Sequence, residues 1–129
     1  MENLDRLCAE YGNKFAKEVS EGLGNAKAAE TFITKALGVL QEQGLYAFLL
    51  FCESRGDKEK PGAIRIKKLT EEILKDKLSL VNNGDILKEI SDKDNGLASR
   101  LDDLILAIQV LEKSLIYARF HAKAMKKSG

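Results

Sequence analysis

The stretch that decides the fold of this chain is Val39–Phe51, which reads VLQEQGLYAFLLF. An amphipathic helical pattern meets Gly44 and is followed at once by an almost wholly apolar segment. Because glycine adopts left-handed conformations without steric cost, we predict that Gly44 ends one helix in a left-handed C-cap. The next segment, Leu45–Cys52, has one polar group, the Tyr46 hydroxyl. A helix that is apolar all round is buried on nearly every side, so we predict the central helix of a small domain.

The segments before this stretch also read as helices. Apolar residues spaced three and four apart outline a first helix over roughly residues 2–21. Gly22–Gly24 interrupts that pattern, and Asn25 is placed to cap the second helix, which runs to Gly44. The apolar third helix is predicted to end near Arg55.

The segments after it continue the helical pattern. Gly56–Gly62 is predicted to be an exposed loop that carries the only proline. Ile66–Val81 outlines a fourth helix, ended by Asn82–Gly84, and Asp85 can cap a short helical piece. No segment alternates with a period of two for long. The prediction is all-α, with residues 1–129 forming a single domain of about five or six helices.

The clearest periodic pattern lies in the last predicted helix, over about residues 96–127. Its apolar residues recur at alternating spacings of four and three: Leu97, Leu101, Leu104, Ile108, Leu111, Leu115, Ala118, Ala122 and Met125. This spacing is typical of a heptad seam. Further apolar residues flank it, so we expect this helix to pack against several others in one bundle rather than form a free coiled coil.

Charge alternates along the chain, although the formal net charge is only +1. Residues 1–54 carry five basic and eight acidic side chains, and residues 69–112 carry five basic and ten acidic. Residues 55–68 carry six basic and two acidic side chains, and residues 113–129 carry five basic and none acidic. On charge alone, ordinary solvated surface and nucleic-acid contact explain the two basic stretches equally well.

Two sequence patterns carry a family resemblance. The first is Gly44-Leu45, then Ala47-Phe48-Leu49 and Phe51, then the polar turn Glu53-Ser54-Arg55. The second, near the C-terminus, is Tyr117–Phe120 with Lys123, Ala124 and Lys126. Together they resemble the small helical subunit of type III CRISPR effector complexes, most closely that of the Cmr module. Phe120 stands where a tryptophan is common in that family.

The resemblance implies a cytoplasmic, non-catalytic structural subunit that needs no cofactor. Its implied partners are the guide RNA and target RNA, other effector subunits and copies of itself. Small subunits of this type line the groove that holds the guide–target duplex, which favours an RNA contact through phosphates for the basic stretches. The alternative is a helical protein–protein adaptor with no RNA role.

The predicted RNA-binding residues form two groups. The main surface comprises Arg55, Lys58, Lys60, Arg65, Lys67 and Lys68, and the second patch comprises Arg119, Lys123, Lys126 and Lys127. Arginine can hold a phosphate with two hydrogen bonds, whereas lysine acts as a point charge. The aromatic residues mostly occupy apolar helical positions, so we expect base stacking to contribute little.

Self-association is predicted to be weak and salt-dependent. The acidic stretch around Asp85, Glu89, Asp92 and Asp94 is expected to face a basic region of the next copy. Charged surfaces of this kind set register and encounter rate more than affinity.

Catalytic, metal-binding and membrane roles find little support in the sequence. His121 is the only histidine and is expected to be exposed, and its position near the C-terminus does not suit a phosphotransfer domain. Adjacent acidic pairs point about 100° apart on a helix and do not converge. We therefore predict no metal site and no nuclease activity. Cys8 and Cys52 are expected to be reduced core residues, and no apolar run approaches the ~18 residues of a membrane span.

Overall fold

Six α-helices make up most of residues 3–128, the part of the chain that the computed structural model describes, with side chains described as far as Lys126. The helices are α1 Leu4–Leu23, α2 Ala26–Gln43, α3 Leu45–Glu53, α4 Lys60–Glu72, α5 Ile86–Ser91 and α6 Leu101–Ser128. A π-helical turn, Ile73–Lys77, extends α4, and a 3-10 turn, Leu97–Ser99, precedes α6. The described range contains no strand, which confirms the predicted all-α bundle with a long C-terminal helix.

Short-range capping sets the first helix boundaries. The Asn3 side chain accepts hydrogen bonds from the backbone N–H groups of Asp5 and Arg6, and α1 ends at Gly24 in a left-handed conformation with φ 91°. The predicted cap at Asn25 is confirmed, because its side chain accepts a 2.7 Å hydrogen bond from the Ala28 N–H. Each cap satisfies backbone groups that the helix itself leaves unpaired.

Gly44 ends α2 and directly precedes α3. Its φ of 94° is positive as predicted, but its ψ of −176° lies outside the left-handed helical region. The predicted left-handed cap is therefore wrong in its ψ angle. This backbone conformation is almost restricted to glycine, so the residue lets two helices meet at an angle with no loop between them.

The third helix is not buried on every side, so that prediction is wrong. Phe48 and Leu49 are fully buried, whereas Tyr46 is 43% exposed and Leu50 is 48% exposed. The central element is instead α1, which packs along α6 and α4 and also contacts α2. Sequence composition alone does not show that the nine residues of α3 pack with one face only.

The predicted Gly56–Gly62 loop is shorter in the structure, because α4 begins at Lys60. Pro61 lies in the first turn of α4, where its missing N–H leaves no helical hydrogen bond unmade. Gly62 is buried, and a Cβ at this position would come within 2.9 Å of the Leu23 side chain. The start of α4 is therefore packed against the end of α1 instead of lying in an exposed loop.

The apolar seam predicted for the last helix is confirmed at Leu97, Leu111, Leu115, Ala118 and Ala122, which are buried, and is wrong at two exposed positions. The α-helix begins at Leu101, which is 67% exposed, and Met125 near its end is 38% exposed. The residues that α6 buries are Ala107, Val110, Leu111, Ser114, Leu115, Ala118 and Ala122. Because α6 packs against both α1 and α2, its buried stripe is broader than a two-stranded seam.

A pair of glycine substitutions tests how closely α1 packs on α6. At Gly12 of α1, a Cβ would lie 2.5 Å from the Tyr117 Cβ, so Gly12→Ala should destabilise the fold by about 1–3 kcal/mol. At Gly38 of α2, a Cβ would meet no heavy atom within 4 Å. Gly38→Ala should therefore stabilise the fold by about 0.5–1 kcal/mol. Urea denaturation measures both changes, and shifts of the same sign would contradict this helix packing.

The structure also tests the predictions about the two cysteines and about membrane-spanning helices. Cys8 and Cys52 are free and buried, as expected. Burial raises the pKa of both thiols, that of Cys52 to about 12, which makes the reactive thiolate scarce near neutral pH. Within residues 3–128 we find no helix with the length and apolar character needed to cross a membrane.

Candidate nucleic-acid interface

The two basic stretches of the sequence meet around the first turns of α2. On one side, Lys126 near the end of α6 forms a 2.8 Å ion pair with Glu30. On the other side, Lys58 from the turn before α4 lines a groove together with Lys27. We call this region the basic end, formed by Lys27, Lys58, Lys60, Lys68, Arg119, Lys123 and Lys126.

The first part of the basic end is a shallow groove of about 480 Å³ between α2 and the turn before α4. Apolar and polar residues line it together: Leu23, Asn25, Lys27, Ala28, Thr31, Phe32, Lys58 and Glu59. Lys27 and Lys58 are exposed. Lys27 was not among the predicted residues. A lysine in the first turn of a helix opposes the macrodipole, which is the sequence signal that could have identified it.

A second groove, of about 460 Å³, runs along the start of α4. Its lining residues are Asp57, Lys60, Pro61, Ile64, Arg65 and Lys68. Lys60 lines this second groove, whereas Lys58 lines the first, so the short segment of residues 57–60 contributes one lysine to each groove. Past Lys68, Glu71 and Glu72 of α4 line the next groove, together with Lys67 and with Lys75 and Asp76 of the π-helical turn. The basic surface of α4 therefore ends near Lys68.

Arg55 is engaged within the fold. Its guanidinium carbon lies 3.9 Å from the centre of the Phe51 ring, and its Nε donates a 3.0 Å hydrogen bond to the Phe51 carbonyl oxygen. Its Nη1 also lies 3.4 Å from a carboxylate oxygen of Glu59. These contacts hold the C-terminal end of α3, where a cation offsets the negative end of the helix dipole. A phosphate contact by Arg55 stays a prediction.

Arg65 and Lys67 are also held by neighbours. Arg65 donates from Nη1 to the Pro61 carbonyl oxygen at 3.1 Å, and it is half-buried. Lys67 forms a 2.5 Å ion pair with Glu53, and the hydrogen bond to Glu53 raises the pKa of Lys67. Lys68 is more available, since its 3.2 Å pair with Glu18 leaves 61% of the lysine side chain exposed. Only part of the predicted main surface is therefore free to meet a ligand.

The C-terminal patch creates a positive field beside α2. The hydrogen bond from Lys126, followed by the charges of Lys126, Lys123 and Arg119, lowers the pKa of Glu30. Glu30 therefore stays ionised at neutral pH, yet it neutralises only part of the positive charge around it. Lys123 is exposed and Arg119 is half-buried. The side chain of Lys127 lies outside the described residues.

Two carboxylates of the predicted acidic surface accept hydrogen bonds from nearby backbone N–H groups. Glu89 accepts a 2.7 Å hydrogen bond from the Asn82 N–H. Asp92 accepts hydrogen bonds from the N–H groups of Asn95 and Asp94, which lower its pKa. These contacts hold the turns on either side of α5. The docking role of Asp85, Glu89, Asp92 and Asp94 stays a prediction.

Metal-binding side chains do not cluster in the described part of the chain. No group of three or more histidine, cysteine, aspartate or glutamate side chains there is placed to hold a metal ion. His121 is exposed, as predicted.

Comparison of the chain with protein-family models, curated proteins and solved structures finds no match. The structure alone therefore gives the class of protein. It is a small all-α bundle with a cluster of lysine and arginine side chains at the end where α2 and α4 begin and α6 ends.

Proposed function

We propose that this protein is a non-catalytic, RNA-contacting subunit of a type III CRISPR effector complex. The observation that supports it most is the basic end, where five cations from three separate chain segments form no ion pair within residues 3–126. They are Lys27, Lys58, Lys60, Arg119 and Lys123. Such a surface suits a flexible polyanion better than a compact acidic ligand.

Local electrostatics support phosphate as the ligand of the two grooves. Lys27 lies in the first turn of α2, and Lys60 is the first residue of α4. Cations are unfavourable beside helix N-termini, whereas phosphates are favourable there. An RNA phosphate bound between these lysines and helix ends would therefore relieve a repulsion that the free protein bears. Contacts of this kind carry no base information, so binding is expected to be nearly independent of sequence.

The resemblance at Gly44–Arg55 and Tyr117–Lys126 is what connects RNA contact to the larger assembly. In that assembly the protein stacks along the guide RNA in the cytoplasm, beside other effector subunits and copies of itself. Its partners there are the backbones of the guide and target RNA. The lysine and arginine side chains of the protein contact the RNA phosphates. Sequence recognition comes from base pairing between the two RNAs.

The direct test is RNA binding by the purified protein across a salt series. Unrelated single-stranded RNAs should bind with similar affinity, because the contacts are to phosphates. Five phosphate contacts, one for each basic-end cation that forms no ion pair within residues 3–126, would give a slope of log K against log salt of about −3.5. The RNA should remain intact with Mg²⁺ present. A flat salt response would contradict the proposal, and cleavage that depends on one acidic cluster would contradict its non-catalytic part.

A protein–protein adaptor is the second candidate, and α3 supplies the observation in its favour. Tyr46 and Leu50 lie one turn apart and are 43% and 48% exposed. Paired apolar side chains of this kind are typical of the contact face of a helix that docks on another. Such an adaptor would bind its partner through α3 and would show no salt-sensitive RNA affinity.

A further inference from the structure

Phe120 is the most exposed aromatic side chain in the described chain, at 60%. Four other aromatic residues, Tyr11, Phe15, Phe32 and Phe48, are at most 2% exposed. A phenyl ring left largely in water on a long helix forfeits the free energy that burial would supply. The exposed position of Phe120 therefore favours contact with a ligand over packing within the core.

The surroundings of the ring leave space beside it. Phe120 lines a shallow groove of about 300 Å³ together with Ala9, Tyr117, His121 and Ala124. The two alanines are small, and none of these five lining residues is acidic. A flat apolar group can enter this groove and lie against the ring without meeting a negative charge from its lining.

Cations flank the same ring on the neighbouring face of α6. The Arg119 guanidinium carbon lies 5.9 Å from the centre of the Phe120 ring. Lys123, three residues further on, is exposed and is a helical neighbour of Phe120. An apolar protein surface docked here would have to desolvate these cations without pairing them, which is unfavourable. A strand that offers flat bases and phosphates together satisfies both the ring and the cations.

We propose that Phe120 is a stacking platform for one unpaired base of a bound RNA, with Arg119 and Lys123 on the adjoining phosphates. The proposal rests on the proposed function and differs from the expectation, drawn from the sequence, that aromatic residues contribute little. Every base has a π face, so this contact tolerates any sequence and requires only that the base be unpaired. In the assembly, the platform would therefore hold a nucleotide that is not paired in the guide–target duplex, and the isolated protein should bind single-stranded RNA more tightly than fully paired RNA.

The test compares Phe120→Ala with the matched control Tyr46→Ala, which removes the other exposed aromatic residue. Binding of single-stranded RNA carrying 2-aminopurine is measured over a salt series. Phe120→Ala should lower the affinity about 5- to 150-fold and abolish the fluorescence quenching. The salt slope should not change, because no phosphate contact is lost. Phe120→Trp should bind at least as tightly as the parent, and Tyr46→Ala should bind as the parent does.

Three other results would contradict the stacking platform, the proposed function or both. If the parent binds with a steep salt slope and Phe120→Ala binds equally well, the stacking platform is wrong and the proposed function stands. If the parent binds no RNA at any salt concentration, the proposed function itself is overturned. If Phe120→Ala leaves RNA binding intact but abolishes self-association in sedimentation, the groove holds a second copy of the chain and the stacking proposal fails.

Discussion

Reversal of Lys27, Lys58 and Lys60 to glutamate is expected to lower RNA affinity by at least about 100-fold at ~0.1 M salt. Each lost phosphate contact removes about 0.7 from the slope of log K against log salt for a single strand, so three contacts flatten it by about 2. Filter binding or fluorescence anisotropy over a salt series measures both quantities. The three lysines are exposed and form no ion pair within residues 3–126, so their reversal breaks no described salt bridge.

The same triple variant should remain folded, which separates loss of function from misfolding. Glutamates at positions 27 and 60 lie at the N-terminal ends of α2 and α4, where a negative charge stabilises a helix by about 0.3–1 kcal/mol. Repulsion from Glu30, Asp57 and Glu59 opposes this gain, so a nearly unchanged melting temperature together with lost RNA binding is the expected combination. Reversal of Arg65 and Lys67 is a poorer test, because both side chains already hold neighbouring groups.

The matched control reverses Lys77, Lys88 and Lys93, which lie on the π-helical turn, on α5 and in the turn after it. Both triple variants change the formal net charge from +1 to −5, a change of six units. The control should bind RNA much more tightly than the basic-end variant. Equal losses would show that binding follows net charge and not this surface. If the basic-end variant binds RNA as tightly as the parent does, Lys27, Lys58 and Lys60 are not the RNA-binding residues, and Arg119, Lys123 and Lys126 are the next set to test.

Phe48→Ala is expected to lower the free energy of unfolding by about 3–5 kcal/mol. The side chain is fully buried within α3, so its removal loses apolar burial and leaves a cavity that the neighbouring helices fill only partly. Small domains are stable by only about 5–15 kcal/mol, so this change is a large share of the total. Urea denaturation measures it as a fall in the midpoint.

Leu50→Ala is the control for Phe48→Ala, because it truncates another large apolar residue two positions away in α3. Leu50 is 48% exposed, so its truncation should cost much less than that of Phe48. This comparison distinguishes the structure from the sequence-based expectation that α3 is buried on every side. Similar losses at both positions would favour that expectation and contradict the one-sided packing of α3.

Local sequence determined the fold class and several of the helix boundaries. The cap at Asn25 and the break at Gly44 depend on contacts within about four residues, and such contacts are visible in the sequence. Helical spacing likewise identified Leu111, Leu115, Ala118 and Ala122 as core residues of the last helix. The two basic stretches were also evident as runs of charge.

Tertiary structure decided which side chains remain free for a ligand. Arg55 and Lys67 are paired with Glu59 and Glu53, whereas Lys27 joins the basic end because the turn before α4 folds against the start of α2. Lys126 meets Glu30 across 96 positions of sequence. The sequence shows which charged and apolar residues a segment contains. Whether a charged side chain is exposed or paired depends on residues from other helices, and only the tertiary packing brings these residues next to it.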